Sequence, residues 1–191
     1  MIAVTGYRTT IAQQLRSLLP KKEAMARYTG QPADRYLFAA GVLHNVGLVV
    51  QTEEQQIESV DVNMLRVMGD CEHVLGKIPD ARICVIGSMG GIRGSFDQTY
   101  AACKAGIHQY VKNCKIMPNQ QIVCVAPTII MDSGMTERRN EDGQAALQRR
   151  IAEHPKKRFL RAIEVARLVH FLLYVDEGFI TNTVIEMHGN E

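Results

Sequence analysis

The chain lacks an excess of charge of either sign. Its 191 residues contain 22 Lys and Arg against 20 Asp and Glu, a formal net charge of +2. Proteins that bind nucleic acid or anionic membranes through a broad surface usually carry a strong basic excess, so we expect neither partner. No apolar run approaches the roughly 20 residues of a membrane span, and residues 1–10 show no basic leader before an apolar stretch. We therefore expect a soluble, cytoplasmic protein.

Patterns for metal ions and disulfides are also missing. The six histidines are scattered, with neither an HExxH motif nor paired spacing, which favours structural or surface roles. The cysteines are odd in number, include no CxxC pair and mostly fall in apolar periodic segments, as buried free thiols do. They are Cys71, Cys84, Cys103, Cys114 and Cys124. We expect no disulfide and no metal site.

The hydrophobic content of 46% suffices for one domain with a substantial core, spanning residues 1–191. Apolar segments typical of strands alternate with segments of helical periodicity from end to end. Parallel neighbours require right-handed crossovers, so this alternation predicts an α/β fold with a doubly wound parallel sheet covered on both faces.

One stretch in the middle of the chain carries the chemistry. The apolar residues 83–86 predict a buried strand, and Ser88 follows at its tip. After a glycine-rich loop, Tyr100 and Lys104 lie four residues apart and so share one helical face. A neighbouring ammonium stabilises a phenolate, which would bring the pKa of Tyr100 from about 10 toward neutrality. Ser88 would then hold a carbonyl oxygen that Tyr100 protonates.

Ser88, Tyr100 and Lys104 in this strand–loop–helix setting resemble the short-chain dehydrogenase/reductase family. The resemblance implies a Rossmann-like fold and an oxidoreductase that interconverts a carbonyl and a secondary alcohol with a nicotinamide cofactor. Tyr100 would be the acid in reduction and the base in oxidation, and Lys104 would also bind the nicotinamide ribose. Asn63, within a long amphipathic helix predicted over residues 53–78, stands where the family has an asparagine that supports the lysine through water.

The first turn matches the family's phosphate-binding turn in part. A strand over residues 1–4, Thr5–Gly6 and a helix over residues 9–19 would present backbone N–H groups to a phosphate. Of the family pattern TGxxxGxG only Thr5 and Gly6 are kept, because Thr10 and Ala12 replace the later glycines. The hydroxyl of Thr10 would contact phosphate, and the resemblance also assigns Ile11 to this site.

Two arginines favour NADP(H) over NAD(H). In dinucleotide folds an acid about 20 residues after the glycines binds the ribose 2′-hydroxyl, whereas a basic residue there suits a 2′-phosphate. Arg27 occupies this position, at the end of a strand predicted within residues 23–28, and Arg8 in the first turn is a second candidate. The alternative is that each arginine is a solvated surface charge.

The remaining cofactor contacts come from the resemblance. Ala40 and Gly41 end a strand predicted over residues 36–41, where the family usually has NNAG. Pro127 and the backbone of Ile130 follow a strand over residues 121–126, where the family binds the nicotinamide amide. Residues 29–35 cannot hold the helix and strand that other members have at this point, so the fold should lack one of each.

The sequence of the later part of the chain indicates its structure and role less specifically. Residues 135–161 are rich in charge, and a helix is predicted over residues 144–152. This segment would form a lid that opens over the substrate. The alternative is that it is a plain connector. A helix over residues 162–174 and a last strand within residues 179–187 complete the fold. Apolar residues on the 53–78 helix and on the Tyr100 helix (Ile107, Tyr110, Val111) predict that copies of the chain associate. The resemblance implies that these helices pair symmetrically with those of a neighbour, so we expect a homotetramer, with a homodimer as the fallback. The alternative is that Met and Cys on these helices fill the core of a monomer.

Two other functions stay open. The altered glycine turn is compatible with a non-catalytic sensor or scaffold that binds a dinucleotide. A nucleotide-sugar epimerase of the extended branch also uses YxxxK, but its substrate domain needs more chain than follows Met187. Nothing in the sequence distinguishes a ketone, a sugar, an acyl thioester or a steroid as the substrate.

Overall fold

The computed structural model describes residues 1–44, 47, 50–137 and 141–190, with the backbone alone for 141–143. Within these ranges six parallel strands form one sheet in the order β2-β1-β3-β4-β5-β6. The strands are β1 (Ile2–Thr5), β2 (Met25–Arg27), β3 (Arg35–Phe38), β4 (Arg82–Ile86), β5 (Gln121–Pro127) and β6 (Thr183–Met187). The predicted α/β, Rossmann-like parallel sheet is confirmed, and the strand order reverses between β1 and β3, where such sheets bind ligands.

The helices lie close to the segments with helical periodicity. They are α1 (Thr10–Leu18), α2 (Glu53–Val60), α3 (Arg66–Leu75), α4 (Gly90–Arg93), α5 (Gln98–Asn113), α6 (Gly134–Glu137), α7 (Glu141–Glu153) and α8 (Ala162–His170). A π-helical turn, Asp61–Leu65, joins α2 to α3, so the long helix predicted over residues 53–78 is confirmed with one wider turn inside it. A second π-helical turn, Phe171–Val175, follows α8.

Each face of the sheet carries its own hydrophobic core. Along β3, Leu37 points into a core shared with α1 and α8, whereas Tyr36 and Phe38 point into a core shared with α3 and α5. Successive side chains of a strand face opposite sides of the sheet, so strands buried on both sides must be apolar throughout. This explains why the strands are recognisable in the sequence as short uninterrupted apolar runs.

The connection between β2 and β3 is short, as the sequence predicted. Residues 28–34 form neither a helix nor a strand, and β2 is therefore the edge of the sheet. Tyr28 closes the core at this edge, with its ring centroid 5.8 Å from that of Tyr36 and 5.4 Å from that of Phe38. Three aromatic rings thus cover the core beside the shortened connection.

The burial of α5 corrects one expectation. The sequence predicted Ile107 and Val111 on an outer apolar surface, but both are fully buried in the core between α5 and the sheet. The sequence shows that a helix has an apolar face, but not whether that face meets the chain's own sheet. Exposed apolar side chains lie elsewhere, at Ile57 in α2 and Leu65 at the end of the first π-helical turn.

Residues 135–161 pack partly into the fold. Residues 138–140 lie outside the described residues, and α7 begins before and ends after the predicted helix. Leu147 is fully buried, and the Thr136 hydroxyl donates to the Ile130 carbonyl at 2.8 Å. The movement of this segment as a lid stays a prediction.

Burial of the thiols agrees with the sequence. Four of the five cysteines are buried, and Cys114 is half-buried. Within the described ranges, no group of three His, Cys, Asp or Glu side chains is placed to hold a metal ion. In the same ranges, no helix has the length and apolar character needed to cross a membrane.

Gly6 is the position where the backbone most strictly requires glycine. Its φ is +65°, and a Cβ atom there would lie 2.6 Å from the carbonyl carbon and oxygen of Ala39. We predict that Gly6→Ala lowers the free energy of unfolding by about 2–5 kcal/mol, the combined cost of backbone strain and overpacking. Urea unfolding of the variant and the wild type measures this loss.

Gly30→Ala is the matched control, because Gly30 has a φ of +95° with nothing within 4 Å of the added Cβ atom. That variant should lose only about 1–2 kcal/mol, the cost of the left-handed backbone. Equal losses in the two variants would show that the contact with Ala39 does not matter.

Candidate active site

The candidate site lies where the chain leaves the carboxyl ends of β1, β3, β4 and β5. Residues directly after these strands are Gly6, Ala39, Gly87 and Thr128. The strands are in parallel register, for example Thr5 opposite Phe38 and Phe38 opposite Val85, so their ends reach the same edge of the sheet. The loops that carry the predicted site residues are thereby brought together.

Ser88 lies on a turn that is tied to β5. The Gly87 N–H donates to the Val125 carbonyl at 2.8 Å, and the Met89 N–H donates to the Pro127 carbonyl at 2.9 Å. The Ser88 hydroxyl oxygen accepts from the Gly90 N–H at 3.0 Å. A hydroxyl that accepts in this way keeps its own hydrogen for another partner.

Asp97 positions the helix that carries Tyr100. Its side chain caps α5, with Oδ1 accepting from the Tyr100 N–H at 2.9 Å. Its other oxygen accepts from the His44 N–H at 3.0 Å, which ties the loop after β3 to the start of α5. Asp97 is fully buried, and both of its carboxylate oxygens accept hydrogen bonds.

Lys104 is a buried ammonium between α5 and β4. Only 3% of the residue is exposed, and Nζ donates to the Ile86 carbonyl at 2.9 Å. Nζ also lies 5.6 Å from the ring centroid of Tyr100. A Cβ atom on Gly90 would lie 3.2 Å from Ser88 Oγ and 3.5 Å from Tyr100 Cε1, so Ser88, Tyr100 and Lys104 lie close together, and their roles stay predictions.

The pKa of Tyr100 differs from the sequence prediction. Burial raises the pKa of the phenol above its ordinary value of 10, a hydrogen bond with the Ser88 side chain lowers it, and the charge of Asp97 raises it further. Burial is the largest of these influences, so the expected lowering toward neutrality is wrong for this arrangement. Burial also lowers the pKa of Lys104 to about 8. Near neutral pH the phenol is protonated and Lys104 is mostly charged.

Asn63 is fully buried in the π-helical turn between α2 and α3. Its amide oxygen accepts from the Val42 N–H at 3.0 Å, and its Nδ2 donates to the Val42 carbonyl at 2.9 Å and to the Ser59 hydroxyl at 3.1 Å. A Cβ atom on Gly41 would lie 3.2 Å from the Asn63 amide oxygen and 3.8 Å from Lys104 Nζ. Asn63 thus holds the loop after β3 against Lys104, and its support of Lys104 through water stays a prediction.

The first turn leads from β1 into α1. Thr9 caps α1, its hydroxyl accepting from the Ala12 N–H at 3.3 Å, and Thr10 is the first residue of the helix. The Thr5 hydroxyl accepts from the Ala40 N–H at 3.4 Å, which joins the turn to the predicted cofactor residues after β3. Ile11 is buried in the core, so only its backbone could contact a cofactor.

Arg8 and Arg27 both have exposed side chains. Arg27 pairs in register with Val4, two residues before Gly6, so the end of β2 lies beside the first turn. Among the described residues, neither guanidinium forms an ion pair with a carboxylate. Both charges face solvent on the side of the sheet where the cofactor is expected.

The predicted nicotinamide loop after β5 is anchored through its backbone by contacts with the turn after β4 and with the segment around α6. Pro127 ends β5 and accepts from Met89, as described above. Ile130 forms a parallel bridge with Leu160, and its carbonyl accepts from Thr136. The loop is therefore connected to the segment that leads to α7.

Sequence reasoning missed two residues of this site. Asp97 stands three residues before Tyr100, the spacing of a helix cap, and this signal could have identified it. His108 lies four residues after Lys104 on the same face of α5, and its Nε2 accepts from the Ser88 N–H at 3.3 Å. The scattered spacing of the histidines favours structural or surface roles for all of them, so it gives no sign of this contact.

The chain is similar in sequence to named bacterial proteins. No family model matches the chain. Nodulation protein G of Rhizobium sp. (strain N33) is 29% identical over 174 residues, which cover 84% of this chain and 69% of that protein. The 3-oxoacyl-[acyl-carrier-protein] reductase MabA of Mycobacterium avium is 32% identical over 165 residues, or 83% of this chain and 63% of that protein. The chain thus spans less than two thirds of the length of the reductase.

Solved structures resemble the fold along its whole length. An oxidoreductase of the short-chain dehydrogenase/reductase family from Burkholderia thailandensis matches with a TM-score of 0.85 at 18% identity, covering 98% of this chain and 91% of that chain. An actinorhodin polyketide ketoreductase, crystallised with NADPH, matches with a TM-score of 0.84 at 19% identity, covering 100% and 97%. At these identities the likeness concerns the fold.

Proposed function

The chain belongs to the short-chain dehydrogenase/reductase family, a family of NAD(P)-dependent oxidoreductases, and from this premise we propose that it is an NADP(H)-preferring reductase of carbonyl compounds. The reverse reaction would oxidise a secondary alcohol. The observation that carries the proposal is that the Ser88 side chain and the Tyr100 ring lie close together beside the buried Lys104: a Cβ atom on Gly90 would be 3.2 Å from Ser88 Oγ and 3.5 Å from Tyr100 Cε1. A phenol next to a hydroxyl donor and an ammonium suits proton transfer to an oxygen atom.

Each residue of the site has its own role in the proposed reaction. When bound, the nicotinamide cofactor supplies the hydride. Tyr100 gives its proton to the substrate oxygen, and Ser88 donates a hydrogen bond to the same oxygen. As the proton leaves, the Lys104 ammonium stabilises the phenolate that remains. The raised pKa of Tyr100 keeps the phenol protonated at neutral pH, the form that can give a proton to a carbonyl oxygen.

The substrate class follows only from similarity. A relative that is 32% identical is named a 3-oxoacyl-[acyl-carrier-protein] reductase, and a protein of similar fold is named a polyketide ketoreductase. These names support testing 3-oxoacyl thioesters and polyketide ketones first. The predicted contacts of the cofactor with Thr5, Gly6, Thr10, Ile11, Ala40, Gly41, Pro127 and Ile130 are part of the same proposal.

Two further proposals concern the chain as a whole. We infer that residues 1–191 form one domain, which is supported by a single sheet with a core on each face. We also infer a cytoplasmic location. Four buried free thiols support this, because reducing compartments keep cysteines unpaired.

We predict that Tyr100→Phe lowers the turnover of a carbonyl substrate by about 10²- to 10⁴-fold, the usual contribution of a general acid. The affinity for NADPH should stay unchanged, because only the proton donor is removed. Steady-state kinetics and a fluorescence titration with NADPH measure the two effects.

Tyr110→Phe is the control, because Tyr110 lies on the same helix and its hydroxyl donates to Glu72 at 2.8 Å, away from Ser88. It should retain full turnover. Undiminished turnover in Tyr100→Phe would place the chemistry elsewhere. A wild-type protein that binds NADPH but reduces none of a panel of carbonyls would instead favour the sensor or scaffold.

The preference for NADP(H) rests on the two exposed arginines beside the first turn. A charge-assisted hydrogen bond contributes about 1.5–3 kcal/mol, roughly tenfold or more in affinity. We predict that NADPH binds more tightly than NADH and that Arg27→Ala narrows the difference by about that factor. Titrations of each variant with both cofactors measure the preference.

Lys21→Ala provides the control for net charge, because Lys21 is exposed and precedes β2 rather than following it. It should leave the preference as in the wild type. Equal affinities of the wild-type protein for NADPH and NADH would contradict the assignment.

We also propose assembly into a homotetramer, or a homodimer if only one interface forms. Exposed apolar residues support it: Ile57 (60%) and Leu65 (54%) lie along the long helix, Val175 (58%) ends the second π-helical turn, and Phe179 (98%) lies between that turn and β6. Large apolar side chains exposed together are typical of interfaces. Light scattering at micromolar concentration should give a multiple of 21.3 kDa, the mass of one chain. The double variant Ile57→Lys and Leu65→Lys should reduce it, whereas a wild-type mass near 21.3 kDa would rule the assembly out.

A further inference from the structure

His108 lies directly beneath the turn that carries Ser88. It is 4% exposed and stands four residues after Lys104 on α5. A Cβ atom on Gly87 would lie 2.4 Å from His108 Nε2, and one on Gly91 would lie 2.9 Å from His108 Cε1. The turn therefore packs on the imidazole through Gly87 and Gly91. A side chain at either position would clash with the ring.

The ring also completes the hydrogen bonding of the turn. Gly87 and Met89 donate their N–H groups to β5, on one side of the turn. The N–H of Ser88, between them, donates instead to His108 Nε2 at 3.3 Å, because alternate backbone groups of an extended segment point in opposite directions. Without this acceptor, a backbone donor within the fold would lose its partner.

The surroundings of His108 keep the ring uncharged. Burial, followed by the charges of Lys104 and Lys112, lowers the pKa of His108 to about 4. The imidazole is therefore neutral at neutral pH, and Nε2 must be the unprotonated nitrogen if it accepts from Ser88. Its ring proton is then on Nδ1.

We propose that His108 is a positioning residue for carbonyl reduction, holding the Ser88 backbone so that the Ser88 hydroxyl meets the Tyr100 phenol. The contact fixes the Ser88 nitrogen from below, while the Gly90 N–H fixes the Ser88 hydroxyl oxygen from the following turn. His108 acts through Ser88 and does not touch the reacting atoms. Its role in reduction rests on the proposed function, whereas its contact with Ser88 does not.

Two amide variants separate the acceptor from the bulk of the ring. In His108→Gln the side-chain oxygen is as many bonds from Cβ as Nε2 is, so it still reaches the Ser88 N–H. In His108→Asn the oxygen replaces Nδ1 and falls short of it. We expect kcat near the wild-type value for Gln and about 100-fold lower for Asn, the loss that a misplacement of about 1 Å causes.

The affinity for NADPH and the KM of the carbonyl substrate should change little in either variant. If His108 were merely structural, both variants would have a lower melting temperature, and their kcat values would change by the same factor. Equal kcat values for Gln and Asn would therefore overturn the positioning role.

A second measurement needs neither activity nor a variant. The ¹⁵N shifts of the His108 ring at neutral pH should show a protonated Nδ1 and an unprotonated, hydrogen-bonded Nε2. A protonated Nε2 would overturn the contact even in an active enzyme. A wild-type protein that reduces no carbonyl would overturn the proposed function, while the ring signals would still decide whether His108 accepts from Ser88.

Discussion

The bond between the Lys104 ammonium and the Ile86 carbonyl is the constraint on which the site depends. A buried ammonium is costly unless it is well hydrogen-bonded, and this bond of 2.9 Å joins α5 to the tip of β4. Tyr100 and His108, one turn before and one turn after Lys104, are placed by the same attachment. The phenol thereby meets Ser88 from one side, and the imidazole meets it from the other.

The loop after β3 is held by polar side chains rather than by a strand. Asn63 binds both backbone groups of Val42, and Asp97 binds the backbone of His44. Each of these side chains is fully buried, so loss of a partner would leave an unpaired polar group inside the protein. The wider turn of the π-helix places Asn63 toward the loop, which agrees with the frequent occurrence of such turns at functional sites.

The shortened edge of the sheet has consequences for the cofactor. With β2 as the edge strand, Arg27 at its end is exposed, and no described helix covers the connection to β3. Tyr28 closes the core beneath this edge with Tyr36 and Phe38. The core is thus complete despite the shorter chain, and the exposed arginine charge is accessible to an anion.

Much of the site follows from local patterns. Short apolar runs and apolar residues at a period of 3.6 locate the strands and helices, and the four-residue spacing of Tyr100 and Lys104 places both on one face of a helix. These features depend on neighbours in sequence, so sequence alone determines them. The sequence alone also predicts that the connection between β2 and β3 lacks a helix and a strand, because so few residues cannot form them.

Other properties depend on which surfaces meet in three dimensions. Burial reverses the expected direction of the pKa of Tyr100, because desolvation of the phenolate is the largest influence on it and the hydrogen bond with Ser88 lowers it by less. Ile107 and Val111 face inward because the sheet lies on that side of α5, which an apolar stripe does not reveal. His108 meets Ser88, 20 residues away in sequence, only because β4 ends above α5. Distances between non-neighbouring segments decide desolvation and hydrogen bonding, and only the tertiary structure sets those distances.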